Sequence, residues 1–326
     1  MKVFTFFVAG CLMAANCFSQ VNVGNAGHPK GGNGGNLEKE DLIELKGTTT
    51  VVVLQDKDKI KLADYKKAAE QVWKFNKIEF ITQSDYSKYI DKAGYSFMTF
   101  RGILMKKSSM GMPSGASSAS FYLKYWLPYQ TKKGKIKEKT FAVIQLYLDV
   151  TTTGTLLFGN IDENELYERL VSDKSTFYNL SPGFMKCYLT IVNNHLMEGK
   201  KHYIFEDEKN ELLLKNLSKD TLFLPDYIKI GNGLKNGKTM DIKELMEDYE
   251  FPYAVLTSDG LSSRILNAKK SLYCFSFIFF SSQKFLTIFE AKTGTIVFSS
   301  YESMSLKGLN SGDFKDISKK IKKAGQ

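Results

Sequence analysis

Thr50-Val51-Val52-Val53-Leu54-Gln55-Asp56 is a β-branched apolar run ending in aspartate, and Thr221-Leu222-Phe223-Leu224-Pro225-Asp226 repeats its form later in the chain. Such runs are typical of buried strands. A helical stretch and a second block of shared residues follow each run. The two blocks align when short gaps are allowed. The first block is Trp73-Lys74-Phe75, Thr82, Ser84-Asp85, Ile90, Tyr95 and Phe97. The second block is Tyr249-Glu250-Phe251, Thr257, Ser258-Asp259, Ile265, Tyr273 and Phe275. The repetition predicts one α/β unit present twice, whose shared aromatic and apolar residues fill a repeated core.

The order of the predicted elements indicates the fold class. Each half reads strand–helix–strand–helix and then a three-strand meander, which a mixed sheet with helices packed on it can bury. We therefore expect an α/β (α+β) protein of two similar mixed-sheet domains that arose by internal duplication. The first domain is predicted over residues 42–155 and the second over residues 211–326, with a helical connector over residues 156–210.

Turn-forming and capping residues divide the halves further. Residues 105–120, rich in serine, glycine and methionine, predict a long loop. Residues 121–129 and 141–150 predict a hairpin whose turn contains Gly134. Ser84 or Asp85 in the first half, and Ser258 or Asp259 in the second, are suited to capping a helix. In the connector, Pro182 suits the first turn of a helix and Gly199 suits its end.

The first 20 residues have the pattern of a secretory signal. Lys2 provides the basic region, and residues 3–15 provide the apolar region. Small residues place the predicted cleavage point between Ser19 and Gln20. The alternative is a lipoprotein signal with Cys11 as the anchored residue. Both alternatives predict an exported protein, located in the periplasm or outside the cell.

The rest of the sequence predicts a leader segment after the signal and no membrane-spanning segment. Residues 21–41 predict a flexible leader, because residues 24–36 are rich in glycine and lack apolar side chains. The most apolar later run, residues 273–280, has the length of a buried strand and is too short to cross a membrane. We therefore expect no transmembrane span.

The chain is basic, with a formal net charge of +10 at pH 7. Nucleic acid is the usual partner of such a chain, but an exported protein rarely meets it. The expected partners are instead an envelope protein, a polysaccharide or an anionic lipid surface. The alternative is that the lysines only keep the protein soluble. Two cysteines remain after the signal, Cys187 and Cys274, and their apolar neighbours favour buried thiols over a bridge between them.

Two groups of residues are candidates for a binding site. Tyr122, Tyr125 and Trp126 lie on a predicted strand beside Lys132, Lys133 and Lys135 of the hairpin turn. Aromatic side chains exposed beside lysines would form a binding surface; their alternative role is packing in the core. Asp56 and Asp226 recur directly after a strand, where α/β proteins often bind ligands, but aspartate is also a common turn residue.

The sequence contains no persuasive catalytic motif. It has neither a nucleophile elbow nor a phosphate-binding loop. His195 and His202 are expected to be packed or solvated, because Gly199 ends the helix between them and a zinc site needs further ligands. We expect no catalytic residue, no metal and no cofactor. The alternative is a hydrolase of envelope polymer or peptide that uses Asp56, Asp58 or Asp226 as acidic groups.

Two resemblances agree with export. The signal ending Phe18-Ser19-Gln20 and the block from Trp73 to Thr82 resemble secreted Bacteroidota proteins of unknown function. The element order of residues 49–104 and 221–280 is similar to that of α/β modules in the TolB amino-terminal domain and the curli-secretion lipoprotein. This likeness rests on element order and transfers no site residue. It implies a non-enzymatic binding or assembly role in the envelope, which is the function that we expect.

Overall fold

Two six-stranded mixed sheets form the framework of the protein. The computed structural model describes residues 20–24, 37–109, 112–159, 161–204, 208–230, 241–280, 283–303, 305 and 308–326. The sheets share one strand order and one pattern of parallel and antiparallel neighbours. The predicted fold class, α/β with two similar mixed sheets, is therefore confirmed.

The first sheet has the strand order β1-β6-β5-β4-β2-β3. Its strands are β1 (Val21–Val23), β2 (Thr49–Leu54), β3 (Lys77–Thr82), β4 (Tyr95–Ser109), β5 (Met112–Gln130) and β6 (Ile136–Leu146). β2 is parallel to both of its neighbours, and the other pairs are antiparallel. Because β2 is buried from both sides, it carries the continuous run of β-branched residues that the sequence shows.

The second sheet repeats this arrangement in the order β7-β12-β11-β10-β8-β9. Its strands are β7 (Glu208–Lys209), β8 (Leu222–Pro225), β9 (Tyr253–Leu256), β10 (Tyr273–Phe280), β11 (Gln283–Glu290) and β12 (Thr295–Glu302). β8 is parallel to β9 and β10, as β2 is to β3 and β4. Each sheet therefore ends in a parallel edge strand, β3 in the first and β9 in the second.

Helices cover the faces of both sheets. They are α1 (Lys39–Lys46), α2 (Leu62–Val72), α3 (Val150–Phe158), α4 (Glu163–Val171), α5 (Pro182–Glu198), α6 (Glu211–Leu217), α7 (Ile242–Leu245), α8 (Ser258–Leu266) and α9 (Ser311–Gly325). Short 3₁₀ segments follow β2, β3 and β8, at Asp56–Lys61, Gln83–Lys88 and Asp226–Ile230. In the part of the chain that is described, these helices are too short or too polar to cross a membrane.

The repetition extends to a contact that the sequence blocks do not reveal. In the first half, the main-chain N–H of Lys74 donates to Asn193 of α5, at 2.7 Å. In the second half, the main-chain N–H of Glu250 donates to Ser318 of α9, at 3.2 Å. Lys74 and Glu250 are the middle residues of the two matching aromatic triplets. The same point of each half is therefore hydrogen-bonded to a long helix, α5 in the first half and α9 in the second.

α5 also contacts the other half of the molecule. It packs on α2 of the first half and on α8 of the second. The ring of Tyr188 lies 5.9 Å from that of Phe289 on β11, and Gly183 approaches the backbone of Ser262 on α8. As a result, buried apolar residues of both halves form one continuous cluster. The segment predicted as a connector thus contributes to the interior of both halves.

The prediction of a flexible leader over residues 21–41 is wrong at both of its ends. Val21–Val23 form β1, which is fully buried or nearly so and pairs with β6, and α1 begins at Lys39. Three residues are too few to show a strand period, so only the pairing with β6 identifies this strand. Residues 25–36 of the predicted leader lie outside the described residues.

The prediction of a long loop at residues 105–120 is also wrong. β4 continues to Ser109 and β5 begins at Met112, and the two remain paired through registers such as Leu104 with Ala119. Glycine and, to a lesser degree, alanine have low strand propensity. The antiparallel ladder satisfies their backbone groups even so, which local composition does not indicate. The hairpin predicted around Gly134 is confirmed, and Gly134 has a φ of 76° in the turn between β5 and β6.

The two cysteines of the described region are free thiols. Cys187 lies on α5 and Cys274 on β10, and both are fully buried. Burial raises the pKa of the Cys274 thiol well above its ordinary value. The prediction of two buried thiols is confirmed.

Candidate functional site

A groove of about 600 Å³ runs beside β3, the outermost strand of the first sheet. Among the described residues β3 pairs with β2 alone, so the outer edge of its backbone has no strand partner. Residues of α2 and of the turn after it form one wall, and Tyr89 lies on the opposite side. The lining residues are Lys66, Ala69, Glu70, Trp73, Lys74, Asn76, Ile78, Glu79, Phe80, Ile81 and Tyr89.

The side chains of β3 alternate between two layers, as the pleat of a strand requires. Phe80 points towards α2 and stacks on Tyr65, with ring centroids 5.8 Å apart. Ile81 points the other way, into a small cluster with Val51 and Val53. Ile78 is on the side of Phe80 but is only half-buried. The beginning of β3 is therefore the more accessible part of the edge.

A buried hydrogen-bond network fixes the wall of the groove. Asn76 Oδ1 accepts from the indole N–H of Trp73, at 2.9 Å, and from the hydroxyl of Thr50, at 2.9 Å. Its Nδ2 donates to the carbonyl of Leu45, at 3.0 Å. The Tyr125 hydroxyl lies 2.8 Å from that of Thr50, and burial raises the pKa of Tyr125 to about 12. Since each of these polar groups has a partner, Trp73 is held in one orientation beside the groove.

The rim of the groove carries both signs of charge. Lys66 and Lys74 lie on its wall with Glu70, and Glu79 lies on β3. Lys77 and Glu79 also form an ion pair along the strand, with the nitrogen and oxygen 2.9 Å apart. The groove therefore has no strong field that would select a polyanion or a polycation.

The two recurring aspartates hold neighbouring segments together. Asp56 accepts from the main-chain N–H of Ser84, at 3.0 Å, and this hydrogen bond lowers the pKa of Asp56. Asp226 accepts from the hydroxyl of Ser258, at 3.0 Å. Asp56 thus joins the end of β2 to the segment that follows β3, and Asp226 joins the end of β8 to the segment that follows β9. This structural role accounts for their recurrence as turn residues.

The predicted helix caps differ from those observed. Thr257 is the N-cap of α8, and its hydroxyl accepts from Gly260 N–H at 3.1 Å. Ser258 and Asp259 are therefore the first helical residues and not the cap. Ser84 and Asp85 lie inside the 3₁₀ segment after β3, which has no side-chain cap. In both halves the serine is bonded to the recurring aspartate, a partner from another strand that local sequence does not indicate.

The predicted aromatic binding surface is buried instead. Tyr122 and Trp126 are 4% and 3% exposed, and Tyr125 is 1% exposed on the opposite face of β5. The indole N–H of Trp126 donates to Thr99, at 2.9 Å. The guanidinium group of Arg101 lies 5.6 Å from the Trp126 ring and covers it. The idea that these aromatic residues reach solvent is therefore wrong, because neighbouring layers cover both faces of β5.

A compact ion cluster completes the cover over Trp126. Glu138 accepts from Arg101, at 2.8 Å, and from Lys124, at 2.6 Å. The Tyr167 ring of α4 lies on Arg101, 5.6 Å from the guanidinium carbon. Charge interactions with both cations lower the pKa of Glu138, although its partial burial opposes this. The cluster is satisfied internally and leaves little charge for a ligand.

The lysines of the predicted surface are exposed. Lys132, Lys133 and Lys135 lie in the turn between β5 and β6, and none of them forms an ion pair with a described residue. Ile136 beside them is 73% exposed. The tip of this hairpin thus combines free positive charge with an apolar side chain. We call these four residues the basic tip.

The histidines come together although the helix ends between them. Gly199 adopts a left-handed conformation, with a φ of 64°, and ends α5. The chain then turns back, so the rings of His195 and His202 lie 4.6 Å apart. Burial lowers the pKa of both rings, that of His202 to about 3. Throughout the described ranges, no three histidine, cysteine or acidic side chains are placed to hold a metal ion.

Comparison with family models, curated proteins and solved structures finds no significant match to this chain. Inferences about function therefore depend on the geometry of the groove and the basic tip. Sequence reasoning missed the groove because its charged residues on α2 resemble an ordinary solvated helix face. Only the order of the strands shows that β3 is an edge.

Proposed function

We propose that the protein is a non-enzymatic, exported binding module that holds an extended segment of an envelope partner protein along β3. The observation that carries this proposal is a parallel strand edge, without a strand partner among the described residues, beside a groove of about 600 Å³. The signal-like residues 1–20 support export. The catalytic role considered for Asp56 and Asp226 has no comparable support, because each carboxylate is used in a local hydrogen bond.

An extended peptide suits this site better than a glycan or a lipid. The edge of a strand presents backbone N–H and C=O groups at a spacing that matches the groups of a second extended chain, so the two can form hydrogen bonds. Side chains of an added strand point alternately to the two faces of the sheet. On one face they would meet Trp73 and Ile78 in the groove, and on the other they would meet Tyr89. The mixed charge of the rim accepts polar side chains of either sign.

The first prediction concerns Ile78, the half-buried apolar residue at the open end of β3. We expect selection from a displayed library of unstructured peptides to enrich binders with apolar residues at alternate positions. Ile78→Lys should weaken the best binder about tenfold or more, since burial of one apolar side chain contributes about 1.5–3 kcal/mol. Affinity is measured by isothermal titration calorimetry. Hydrogen exchange of the complex should show slower exchange of the amides of residues 77–81.

The matched control lies on the other edge strand. Val255→Lys places the same charge on half-buried β9, which occupies the equivalent position in the second sheet. It should leave the affinity unchanged. Strand addition at β3 is excluded if both variants bind like the wild type, or if the protected amides lie elsewhere.

The basic tip provides a second candidate contact, with an anionic membrane surface. The observation that favours it is three lysines that form no ion pair with any described residue and lie next to the exposed Ile136. Lysines near an anionic surface contribute about 1 kcal/mol each. An apolar side chain between them can enter the boundary between headgroups and acyl chains.

The second prediction tests the basic tip with vesicles. Serine in place of Lys132, Lys133 and Lys135 should weaken sedimentation with phosphatidylglycerol vesicles on the order of 100-fold. The wild type should bind less tightly as salt rises and should not bind neutral phosphatidylcholine vesicles.

The control variant changes Lys200, Lys319 and Lys322 to serine, which removes the same net charge. The ammonium groups of these lysines already pair with Glu198, Asp316 and Glu250. The control should retain most of the binding. Equal losses in the two triple variants would show that net charge, and not the basic tip, is responsible.

A further inference from the structure

The side chains at the beginning of β3 make this strand complementary to itself. Lys77 and Glu79 are two residues apart, so both point to the same face of the sheet. Lys77 is exposed and Glu79 is half-buried, and their ion pair runs along the strand. Ile78, between them, points to the opposite face and lines the groove. The strand thus presents one positive and one negative side chain on one face and an apolar side chain on the other.

A twofold axis perpendicular to the sheet would make the β3 strands of two copies antiparallel neighbours. The outer edge of β3 has no strand partner among the described residues, so its backbone groups can form such a ladder. Residues directly opposite each other in an antiparallel pair lie on the same face of the sheet. The symmetric registers therefore match odd-numbered residues with odd-numbered ones and even-numbered residues with even-numbered ones.

The charges of β3 favour one of these registers. When Ile78 lies opposite Ile78 of the second copy, Lys77 lies opposite Glu79 on both sides of the axis. Shifts that place Lys77 opposite Lys77, or Glu79 opposite Glu79, bring like charges together, which is unfavourable. Larger shifts leave both charges without a charged neighbour across the strands. The exposed ion pair along the strand contributes little to stability, so it can be exchanged for two pairs between the copies.

We propose that the extended segment bound along β3 is β3 of a second copy of this chain, in the register that places Ile78 opposite Ile78. This inference rests on the proposed function, that β3 accepts an extended chain, and it names that chain. The same surface serves both copies, so the assembly closes as a dimer. β9, the equivalent edge of the second sheet, has four residues and no charged side chain, so its charges select no register.

Sedimentation velocity of the purified protein over a range of concentrations tests the proposal. A short strand edge buries a small area, so we expect a weak dimer that dissociates on dilution. Lys77→Glu should weaken the dimer about tenfold or more, because it places like charges opposite each other on both sides of the axis. Glu79→Lys should have the same effect. The control is Lys200→Glu, which changes the net charge as Lys77→Glu does, at a lysine paired with Glu198; it should leave the dimer unchanged.

Mixing the two weakened variants separates the proposed pairing from damage to the fold. In the mixed dimer, two negative side chains of the Lys77→Glu variant lie opposite two positive side chains of the Glu79→Lys variant. Association should therefore return to about the strength of the wild type. The double variant, in which the two charges are exchanged, should also dimerise. Single variants that dimerise like the wild type, or a mixture that does not restore association, overturn the proposal.

The outcomes also distinguish this inference from the proposed function. A wild type that stays monomeric up to about 1 mM overturns the dimer, even where peptides bind along β3 and Ile78→Lys weakens them. Hydrogen exchange of the amides of residues 77–79 should be slower in concentrated than in dilute wild-type protein. Protection that depends on concentration but lies elsewhere in the chain overturns the proposed interface. If neither peptides nor a second copy bind along β3, both the dimer and the proposed function are wrong.

Discussion

We expect Gly183→Ala to lower the free energy of unfolding by about 2 kcal/mol, the cost of overpacking a close contact. A Cβ atom at Gly183 would lie 2.8 Å from both Cα and the carbonyl oxygen of Ser262. These are backbone atoms of α8, so relief requires α5 and α8 to move apart. The Gly183 N–H also donates to the Ser262 hydroxyl, at 2.9 Å, and this bond would lengthen. The substitution therefore strains the contact between the two halves.

Gly154 in α3 offers a matched control with the opposite sign. Apart from its chain neighbours and the backbone of its own helix, a Cβ atom there meets no heavy atom within 4 Å. Gly154→Ala should therefore raise stability by about 0.5–1 kcal/mol, the ordinary helix preference for alanine over glycine. Urea unfolding followed by circular dichroism measures both changes. Similar stabilisation of the two variants would show that α5 and α8 are not tightly packed at Gly183.

The second large effect is a loss of stability in acid, caused by His202. Burial lowers the pKa of His202 to about 3 in the folded protein, from about 6.5 in the unfolded chain. Between these values the unfolded chain binds a proton and the folded protein does not. The contribution of the neutral His202 to the free energy of unfolding is therefore fully present above about pH 6.5. It is lost as the pH decreases towards 3, by about 1.4 kcal/mol per pH unit. The full loss is about 4–5 kcal/mol.

The surroundings of His202 explain why the folded protein does not take up this proton. The ring packs on His195, and protonation of one disfavours protonation of the other. Burial is the main cause of the lowered pKa of His195. The charge of Glu198 raises this pKa, and the charge of Lys200 lowers it. The backbone of His202 is bonded to Val23 of β1 in both directions, at 2.8 and 2.9 Å. Acid should therefore weaken the attachment of β1 early in unfolding.

His202→Phe removes the titrating group and keeps a ring in the same space. Between about pH 7 and about pH 4.5 the wild type should lose about 2.5–3 kcal/mol more stability than this variant. His195→Gln should remove a smaller part of the pH dependence, because His195 is less buried. Urea unfolding at several pH values measures these differences. Parallel profiles of the wild type and His202→Phe would contradict the assignment to His202.

The sequence predicts most of the main strands and helices, because the spacing of apolar residues and the repetition of sequence blocks indicate them. The run Val51–Leu54 is buried β2, and its counterpart at Leu222 is β8. Pro182 and Gly199 mark the observed ends of α5, since proline is compatible with the first turn and glycine with a left-handed end. The sequence does not predict β1, nor the end of β4 up to Ser109 and the beginning of β5 from Met112. Both depend on pairing with distant residues, which no local pattern contains.

The candidate site is less predictable than the fold. The sequence correctly places Lys132 on an exposed turn, because lysine and glycine favour such positions. It wrongly suggests exposure of Trp126, because the cover over that ring comes from Arg101 and α4, which are distant in the chain. The groove depends on β3 being the last strand of the sheet. Strand order is a property of the tertiary structure and cannot be read from any one segment.

The placement of α5 has a consequence for how the chain can be divided. Tyr188 and Phe184 of this helix fill space against β11, while Asn193 is bonded to the first half. A fragment that ends before β7 would expose the rings of Phe184 and Tyr188 to water. The fragment that begins at β7 would lack α5, which forms part of its interior. The two sheets share one topology, yet the buried cluster is continuous across both of them, so we expect the two halves to unfold together in a single transition.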